Sequence, residues 1–526
     1  MDGIKNTENY AKIEQLLEKR EEFKMGGGEA AIEKLMHSKG KLSIRERIDL
    51  LFDEGTFVEQ YLFTQSQCKE LGMDKKKTPA DGIITGCGKI NGRLTYFYGN
   101  DFTVMGGSLG RGSNLKSSYI SMEAARMGAP LVAIFDTAGA RFQEGNMTQA
   151  ISQMMVNIAN SGYIPQVSAI MGNCAGGGAY IPALTDFIIS VDQTSRMYIC
   201  GPEPIKKAIG QDVDPEFLSG GYTNNAISGN THCLATNDED CIEKIKLYLS
   251  YMPQNCHEMP PEYEYDDDPD RLIYELDDII PDDLNKGFDM MQVIELVCDE
   301  SSVFEIQPLF AKNLITALAR IDGRSVGIIA NNPVHLAGCL DVDASDKMAH
   351  FVDVCDAYNI PLIWFTDCPG FMPGVDQEHK GIVRHGAKAC YAMGAATVPK
   401  IGVVLRKQFG ASAVAMGGFG QNMDCILHWP FFVASATNPE GSVKVLFRRE
   451  LAAAEDPEAK MKQLVEEFKR ATGDVYTTAE RLICNDIIAP HETRKRIIQQ
   501  LDILRTKNQD MCFLPTPKKK QGIRPV

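Results

Sequence analysis

The sequence predicts an α/β protein built from two tandem domains related by internal duplication. Three observations carry this. From about residue 80 the chain alternates strand, glycine-rich turn and helix, the pattern of a mostly parallel sheet covered by helices. The pattern then returns at a constant offset of 231 positions: Ile90-Asn91-Gly92-Arg93 matches Ile321-Asp322-Gly323-Arg324, Met105-Gly106-Gly107 matches Leu336-Ala337-Gly338, Lys116 matches Lys347, Pro130-Leu131 matches Pro361-Leu362, and Asp136-x-x-Gly139 matches Asp367-x-x-Gly370. Between the copies, 258–283 differs sharply, with Pro260-Pro261, Asp266-Asp267-Asp268-Pro269, Asp277-Asp278 and Asp282-Asp283 against one basic residue, Arg271. Self-repulsion and proline disfavour packing there. The expected organisation is a domain 1–257, an acidic linker 258–284 and a domain 285–526.

The elements follow in order. Residues 8–35 read as a charged helix interrupted at Gly26-Gly27-Gly28, either solvated surface or an oligomer contact. In 41–57, Ser43 and Glu46 form a capping box, Ile44, Ile48 and Leu51 share a helical face, and Gly55 suits the stop. Residues 82–90, 94–98 and 131–135 read as strands, 115–127 and 147–161 as helices, and 106–110 as a glycine turn.

Composition bounds the function. A chain of 526 residues with 44% apolar and 24% charged content is a soluble globular protein of at least two domains. A net charge of −16 argues against nucleic-acid binding, which needs clustered Lys and Arg. The fifteen cysteines form no C-x-x-C pair, so zinc spacing is absent, no metal is expected, and reduced thiols in a cytoplasm are. The N-terminus carries no signal-like apolar run, and no stretch is long enough to span a bilayer, so no direct membrane insertion is expected.

The chemistry-bearing stretch is 164–181, IPQVSAIMGNCAGGGAYI. An apolar strand, 167–171, runs into Cys174-Ala175-Gly176-Gly177-Gly178-Ala179 and resumes as a helix. Bare N–H groups at such a turn, with a helix dipole behind them, suit a developing negative charge. The alternative is a tight turn in which glycine only permits close packing. After three inserted residues the second copy offers its own turn, Phe409-Gly410-Ala411-Ser412. Two holes suit a reaction with an oxyanion on each of two reactants. The nine histidines suggest no catalytic triad, and His385, in Arg384-His385-Gly386, reads as a helix-surface or packing residue. Such a site leans on electrostatics and a cofactor.

Several motifs together resemble the biotin-dependent acyl-CoA carboxyltransferase family. They are Asp101 to Gly110, Gly139-Ala140-Arg141-Phe142-Gln143-Glu144-Gly145, the 164–181 stretch, Ala183 to Phe187, Pro369-Gly370-Phe371-x-Pro373-Gly374, Arg384 to Lys388, Ala396 to Lys400, and Glu492-Thr493-Arg494. The similarity covers about residues 20–526. It implies two crotonase-like (ClpP/crotonase superhelix) domains, with acyl-CoA on the first and biotin on the second domain of another subunit, usually in a homohexamer. By position, Gly176 and Gly177 match the N–H pair that holds the thioester oxygen, with Gly178 beside them, and Ala411 and Ser412 match the pair facing the biotin ureido oxygen. Gly106, Gly107, Ala140 and Arg141 fall where the family handles CoA, though Arg141 reads equally as a surface salt-bridge partner. Phe371, Gly410 and Val414 fall in the biotin-side pocket.

The implied reaction moves a carboxyl group between carboxybiotin and a short acyl- or enoyl-CoA through a thioester enolate, with the biotin nitrogen handling the proton. The chain lacks a Met-Lys-Met biotin-acceptor sequence and an evident ATP loop. Biotin is therefore expected on a separate biotin carboxyl carrier protein. A biotin carboxylase or a membrane decarboxylase subunit is the further partner, the latter making this the alpha subunit of a sodium-pumping decarboxylase.

The chain also departs from the family pattern. Gly410-Ala411-Ser412-Ala413 stands where Gly-Gly-Ala-Tyr is usual, Arg111-Gly112-Ser113-Asn114 replaces Glu-Met-His, and Thr137-Ala138 replaces Ser-Gly. Residues 416–442 match poorly, and the Gly-Gly-x-Gly-x-Asn run at 417–422 resembles the glutaconyl-CoA decarboxylase branch, whereas the N-terminal motifs sit closer to propionyl- and methylmalonyl-type enzymes. Two rivals stand beside this reading: a biotin-independent crotonase-like hydratase or hydrolase, and an inactive scaffold subunit. The Lys518-Lys519-Lys520 tail reads as solvated.

Overall fold

The structure is a computed structural model describing residues 8–145, 148–418, 422–435, 439–472, 475–507 and 523. The chain forms two compact units that divide after His257. The first holds strands β1 (Val58–Gln60), β2 (Ile83–Ile90), β3 (Arg93–Asn100), β4 (Leu131–Thr137), β5 (Gln166–Ala175), β6 (Phe187–Val191), β7 (Arg196–Tyr198) and β8 (Cys233–Ala235). The second holds β9 (Phe304–Ile306), β10 (Leu314–Ile321), β11 (Arg324–Asn331), β12 (Leu362–Cys368), β13 (Lys400–Phe409), β14 (Cys425–His428), β15 (Val433–Ser435) and β16 (Asp486–Ile487).

The two sheets are topological copies. The first runs β1-β2-β3-β4-β5-β6-β8 with β7 also on β5; the second runs β9-β10-β11-β12-β13-β14-β16 with β15 also on β13. In each, the first three strands pair antiparallel and the rest parallel. Parallel strands need crossovers, here the helices Arg111–Met127, Thr148–Asn160, Val342–Ala357 and Ile382–Ala395. The central strands β4 and β12 are buried along their whole length, which explains their unbroken apolar runs.

The expected elements appear, most of them longer than their apolar cores. Helix 115–127 begins at Arg111, and strand 167–171 spans Gln166–Ala175. The charged N-terminal helix breaks as expected, into Glu8–Lys24 and Glu29–Leu35. The 41–57 helix is confined to Ile44–Leu51, with the capping box in place: Glu46 N donates to Ser43 Oγ (3.4 Å) and Ser43 N to the Glu46 carboxylate (2.7 Å). The repeated lysines also play one part. Lys116 Nζ donates to Ala80 O (2.9 Å) and Ile83 O (2.7 Å), and Lys347 Nζ to the carbonyls of Gln307, Phe310 and Leu314 (2.7–2.9 Å). Burial pulls both ammonium pKa values down, Lys116 to about 8.

The acidic stretch differs from the linker expected of it. Residues 258–284 belong to the second unit, and Ile273, Leu276 and Ile280 pack in its core with Met290, Val293 and Ile294. Some of its carboxylates are met by basic residues distant in sequence, and part of its backbone by another. Arg494 pairs with Asp267 (3.3 Å), Lys495 with Asp270 (3.1 Å), and Arg406 donates to the carbonyls of Pro281 and Asp283 (3.1 and 3.0 Å). Self-repulsion is offset by these partners, and the apolar residues between the aspartates anchor the segment. No helix among the described residues is long and apolar enough to cross a membrane.

Candidate active site

In the first unit three turns converge at the end of β4 and β5. The 106–110 turn is zipped to 138–141: Ala138 N donates to Gly106 O (2.9 Å), Leu109 N to Gly139 O (2.9 Å), and Arg141 N to Leu109 O (3.0 Å). Asn100, at the end of β3, holds the turn from below through Nδ2 to Gly107 O (3.3 Å). Gly107 has φ 59°, and a Cβ there would overlap the Asp136 carbonyl, so a glycine is required twice over. Gly139 has φ 93°, and its missing Cβ would lie 3.1 Å from Ala175 O, which sets Ala140 beside the end of β5. Gly176 follows at φ 64°, and Leu109 covers Gly178, whose Cβ would stand 3.4 Å from the leucine Cδ1. The structure therefore brings together Gly106, Gly107, Ala140, Gly176, Gly177 and Gly178.

The second unit repeats the arrangement. Leu340 N donates to Gly370 O (3.0 Å), Met372 N to Leu340 O (2.8 Å), and Asn331 Nδ2 to Gly338 O (2.9 Å). Gly370 (φ 127°) abuts Phe409 O, and Gly410 takes φ 58° as Gly176 does. Phe371 lies half-buried with its ring against Gly386, where a Cβ would come within 2.8 Å. Gly410, Ala411 and Val414 are exposed. Strand register aligns Gly176 with Gly410, Gly177 with Ala411 and Gly178 with Ser412, because both β4–β5 and β12–β13 skip at the same bulge. The Gly176–Gly177 and Ala411–Ser412 pairs thus sit one position apart in the repeat.

The expected helix dipole is weaker than the sequence suggested. After β5 comes one 3₁₀ turn, Gly176–Ala179, and a single α turn, Tyr180–Ala183; after β13 comes only Ser412–Ala415. The N–H groups are bare because the first donors of any helix have no internal acceptor, and a macrodipole needs more aligned peptides than these. Ser412 is wholly buried. Its hydroxyl is buried and donates to Phe409 O (2.6 Å) and Cys368 O (3.3 Å).

Arg141 requires a correction. Its side chain is fully buried and all five donors are engaged within the unit: Nε with Ser108 Oγ, one terminal nitrogen with Asp81 and Glu144, the other with the carbonyls of Asp81 and Ser108. No donor remains for CoA. Burial raises the Asp81 pKa against the pull of Arg141. Burial also pushes Glu144 upward, but hydrogen bonds from Ser66 and the Arg111 N–H outweigh it and hold Glu144 below the usual range. Asp81, Asn100 and Asn331 were missed by sequence reasoning. The 231-residue offset also pairs Asn100 with Asn331, and that was the available signal.

Side chains offer little nucleophilic chemistry here. Cys174, behind Gly178, is fully buried and its thiol pKa is raised by burial; Cys368, behind Gly370, is pushed up to about 12. His385 is half-buried on its helix, with Nδ1 on the Asp346 carboxylate (2.8 Å) and Nε2 facing Arg384 (3.0 Å).

The chain is thus two copies of one α/β unit, each with a strand that breaks into a small-residue turn whose first N–H groups have no helical acceptor. The chain belongs to the carboxyl transferase domain family, which it matches over residues 35–521. It is 43% identical over 519 residues to the methylmalonyl-CoA decarboxylase subunit alpha of Propionigenium modestum, spanning 98% of this chain and 99% of the relative. It is equally 43% identical over 519 residues to the propionyl-CoA carboxylase carboxyltransferase subunit of Haloferax mediterranei, with the same coverage, 98% and 99%. A crystal structure of transcarboxylase 12S, a hexamer with methylmalonyl-coenzyme A and methylmalonic acid bound, matches at TM-score 0.94 and 42% identity over 99% of both chains. The fold is accordingly a tandem of crotonase-like domains, and the chain is a carboxyltransferase.

Proposed function

We propose that this chain moves a carboxyl group between biotin on a separate carrier and a short acyl-CoA, with methylmalonyl-CoA and propionyl-CoA as the carboxylated and decarboxylated pair. The observation that carries the reading is the duplicated N–H cradle, at Gly176–Gly177 and at Ala411–Ser412. The N–H groups of Gly176 and Gly177 hold the thioester oxygen as it gains charge on the way to an enolate. Gly106, Gly107 and Ala140 wall the acyl-CoA against them. Ala411 and Ser412 present their N–H groups to the ureido oxygen of biotin, and the exposure of Gly410 and Ala411 leaves room for a flat ring there. Biotin, when bound, supplies the carrier nitrogen for the carboxyl group and the acceptor for the acyl proton. The chain's own part is preorganised backbone donors, each removal of which typically costs on the order of 10²–10³ in rate. Both neighbouring thiols are buried, so no covalent acyl intermediate is invoked.

Homohexameric assembly, a biotin carboxyl carrier protein, and a biotin carboxylase or a membrane decarboxylase subunit complete the proposal. It rests on the names of the relatives, and the partner sets the direction. The fourteen described cysteines are free thiols, in keeping with a cytoplasmic compartment. Part of the 417–422 run, residues 419–421, lies outside the described residues, so the resemblance to the glutaconyl branch is left to experiment.

The test incubates the purified chain with malonyl-, methylmalonyl- and glutaconyl-CoA, with and without free biotin, and follows carboxyl loss by mass spectrometry. Biotin-dependent loss from methylmalonyl-CoA is expected. Loss without biotin would overturn the reading in favour of a crotonase-type hydrolase or hydratase.

A further inference from the structure

The acyl-CoA-side turn rests on a buried ion cluster that its copy in the second unit lacks. Ala80 and Asp81 stand consecutively in the left-handed region, φ 52° and 53°. Non-glycine residues hold that conformation only where their surroundings impose it. Here Lys116 Nζ grips the carbonyls of Ala80 and Ile83. Asp81 Oδ2 accepts from Ser113 N (2.7 Å) in the first turn of helix Arg111–Met127, whose N-cap, Gly110, has no side chain to do so. Asp81 Oδ1 accepts from Arg141, which in turn donates to Ser108 Oγ (3.2 Å), Ser108 O (2.9 Å) and Glu144 (2.9 Å). The side chains of Asp81 and Arg141 are both 0% exposed.

The second unit provides an internal control. The 231-residue offset places Lys312 where Asp81 is, Cys339 at Ser108, Met372 at Arg141 and Val375 at Glu144. The same turn nevertheless forms there, with the same bridge between Leu340 and Phe371 that joins Leu109 and Ala140. Asn313 Nδ2 donates to Cys339 O (2.7 Å), and Asp341 caps its own helix at Ala344 N (2.9 Å). The fold closes this turn without an ion cluster, and burying charges is unfavourable when neutral packing suffices.

We infer that Asp81 and Arg141 are positioning residues of the acyl-CoA half-site. They lock 106–110 against 139–141, so that the wall facing Gly176 and Gly177 stays still while the thioester oxygen gains charge. This rests on the carboxyltransferase reading above. The biotin-side turn, closed without an arginine–carboxylate pair, does not depend on them.

Two variants of the full-length protein test this. Arg141→Met introduces the second unit's residue, and Asp81→Asn keeps the shape and an acceptor oxygen while removing the charge. Turnover of methylmalonyl-CoA with free biotin is measured with each substrate varied in turn, beside size-exclusion chromatography. The expected result is a fall in kcat/KM for the acyl-CoA of about tenfold or more in Arg141→Met, with a smaller fall in Asp81→Asn. The KM for free biotin should stay within about twofold of wild type, and the elution volume should not change. An acyl-CoA kcat/KM unchanged in both variants would overturn the inference. So would acyl-CoA and biotin parameters failing together, which marks a merely structural role. If Arg141→Met does not assemble, Asp81→Asn alone decides. Wild-type protein without biotin-dependent turnover would instead sink the underlying reading.

Discussion

Gly172 and Arg406 occupy the same place in the two repeats, inside the bulge that separates the paired segments of β4–β5 and of β12–β13. Each stands beside a buried strand-end carboxylate, Asp136 or Asp367. In the second unit Arg406 neutralises Asp367 directly, through Nε (3.2 Å) and a terminal nitrogen (2.9 Å). In the first unit the glycine leaves the space to the Asp136 carboxylate, which a Cβ would overlap. Its cations come instead from the N-terminal segment: Lys41, in direct contact, and Arg47, 3.8 Å away and bound to Asp238.

Lys41→Met should therefore weaken the first unit. Removing one partner from a buried ion pair typically costs about 3–5 kcal/mol, because the remaining charge is left without compensation. A lowered thermal midpoint relative to wild type is the expected result in scanning calorimetry, and an unchanged midpoint would show that Arg47 alone suffices.

Gly177→Val places a branched side chain over the N–H groups assigned to the thioester oxygen. Turnover should fall by about 10² or more while the oligomer persists in size-exclusion chromatography. A turnover close to wild type would remove Gly177 from the site.

Ser412 separates backbone from side chain. Ser412→Ala loses the buried hydroxyl's hydrogen bond to Phe409 O and should cost about 1 kcal/mol of stability with turnover retained. Ser412→Pro removes the N–H itself and should cost about 10²–10³ in turnover. Equal turnover in the two variants would contradict a backbone role.

His428 makes stability depend on pH. It is 1% exposed and stacks on Phe432 (centroids 4.0 Å apart), and neither ring nitrogen has a partner among the described residues. Burial lowers its pKa to about 4 from the usual 6.5. The unfolded chain then binds the proton first as pH falls, so this contribution to stability is complete above pH 6.5 and is lost on the way down to 4. Between pH 7 and 5 the loss should be about 2 kcal/mol. The thermal midpoint of wild type should drop more over that range than that of His428→Phe; parallel curves would refute the assignment.

Much of this was legible in the sequence because duplication writes the same local rules twice. The paired lysines, the paired aspartates at 136 and 367, and the two small-residue turns are constraints that one strand and one turn impose on their own residues. Strand and helix cores were readable from apolar runs, while their ends were not, since Arg111 and Gln166 join their elements through hydrogen bonds rather than hydrophobicity. Residues 258–284 misread as a linker because repulsion among aspartates is visible locally, whereas cations that answer it, Arg494 and Lys495, lie over a hundred positions away.

The sequence by itself determined the repeat, the strand–turn–helix order, the glycine turns and the family, all of which depend on neighbours in the chain or on a fixed offset. Only the tertiary structure decided which charges meet. It turned Arg141 from a ligand-facing cation into an interior strut by placing Asp81 and Ser108 around it, and it gave Asp136 a lysine from a different segment than the one that serves Asp367. A side chain's role follows from what surrounds it once water is excluded, and that enclosure is assembled from residues whose order along the chain does not record their meeting.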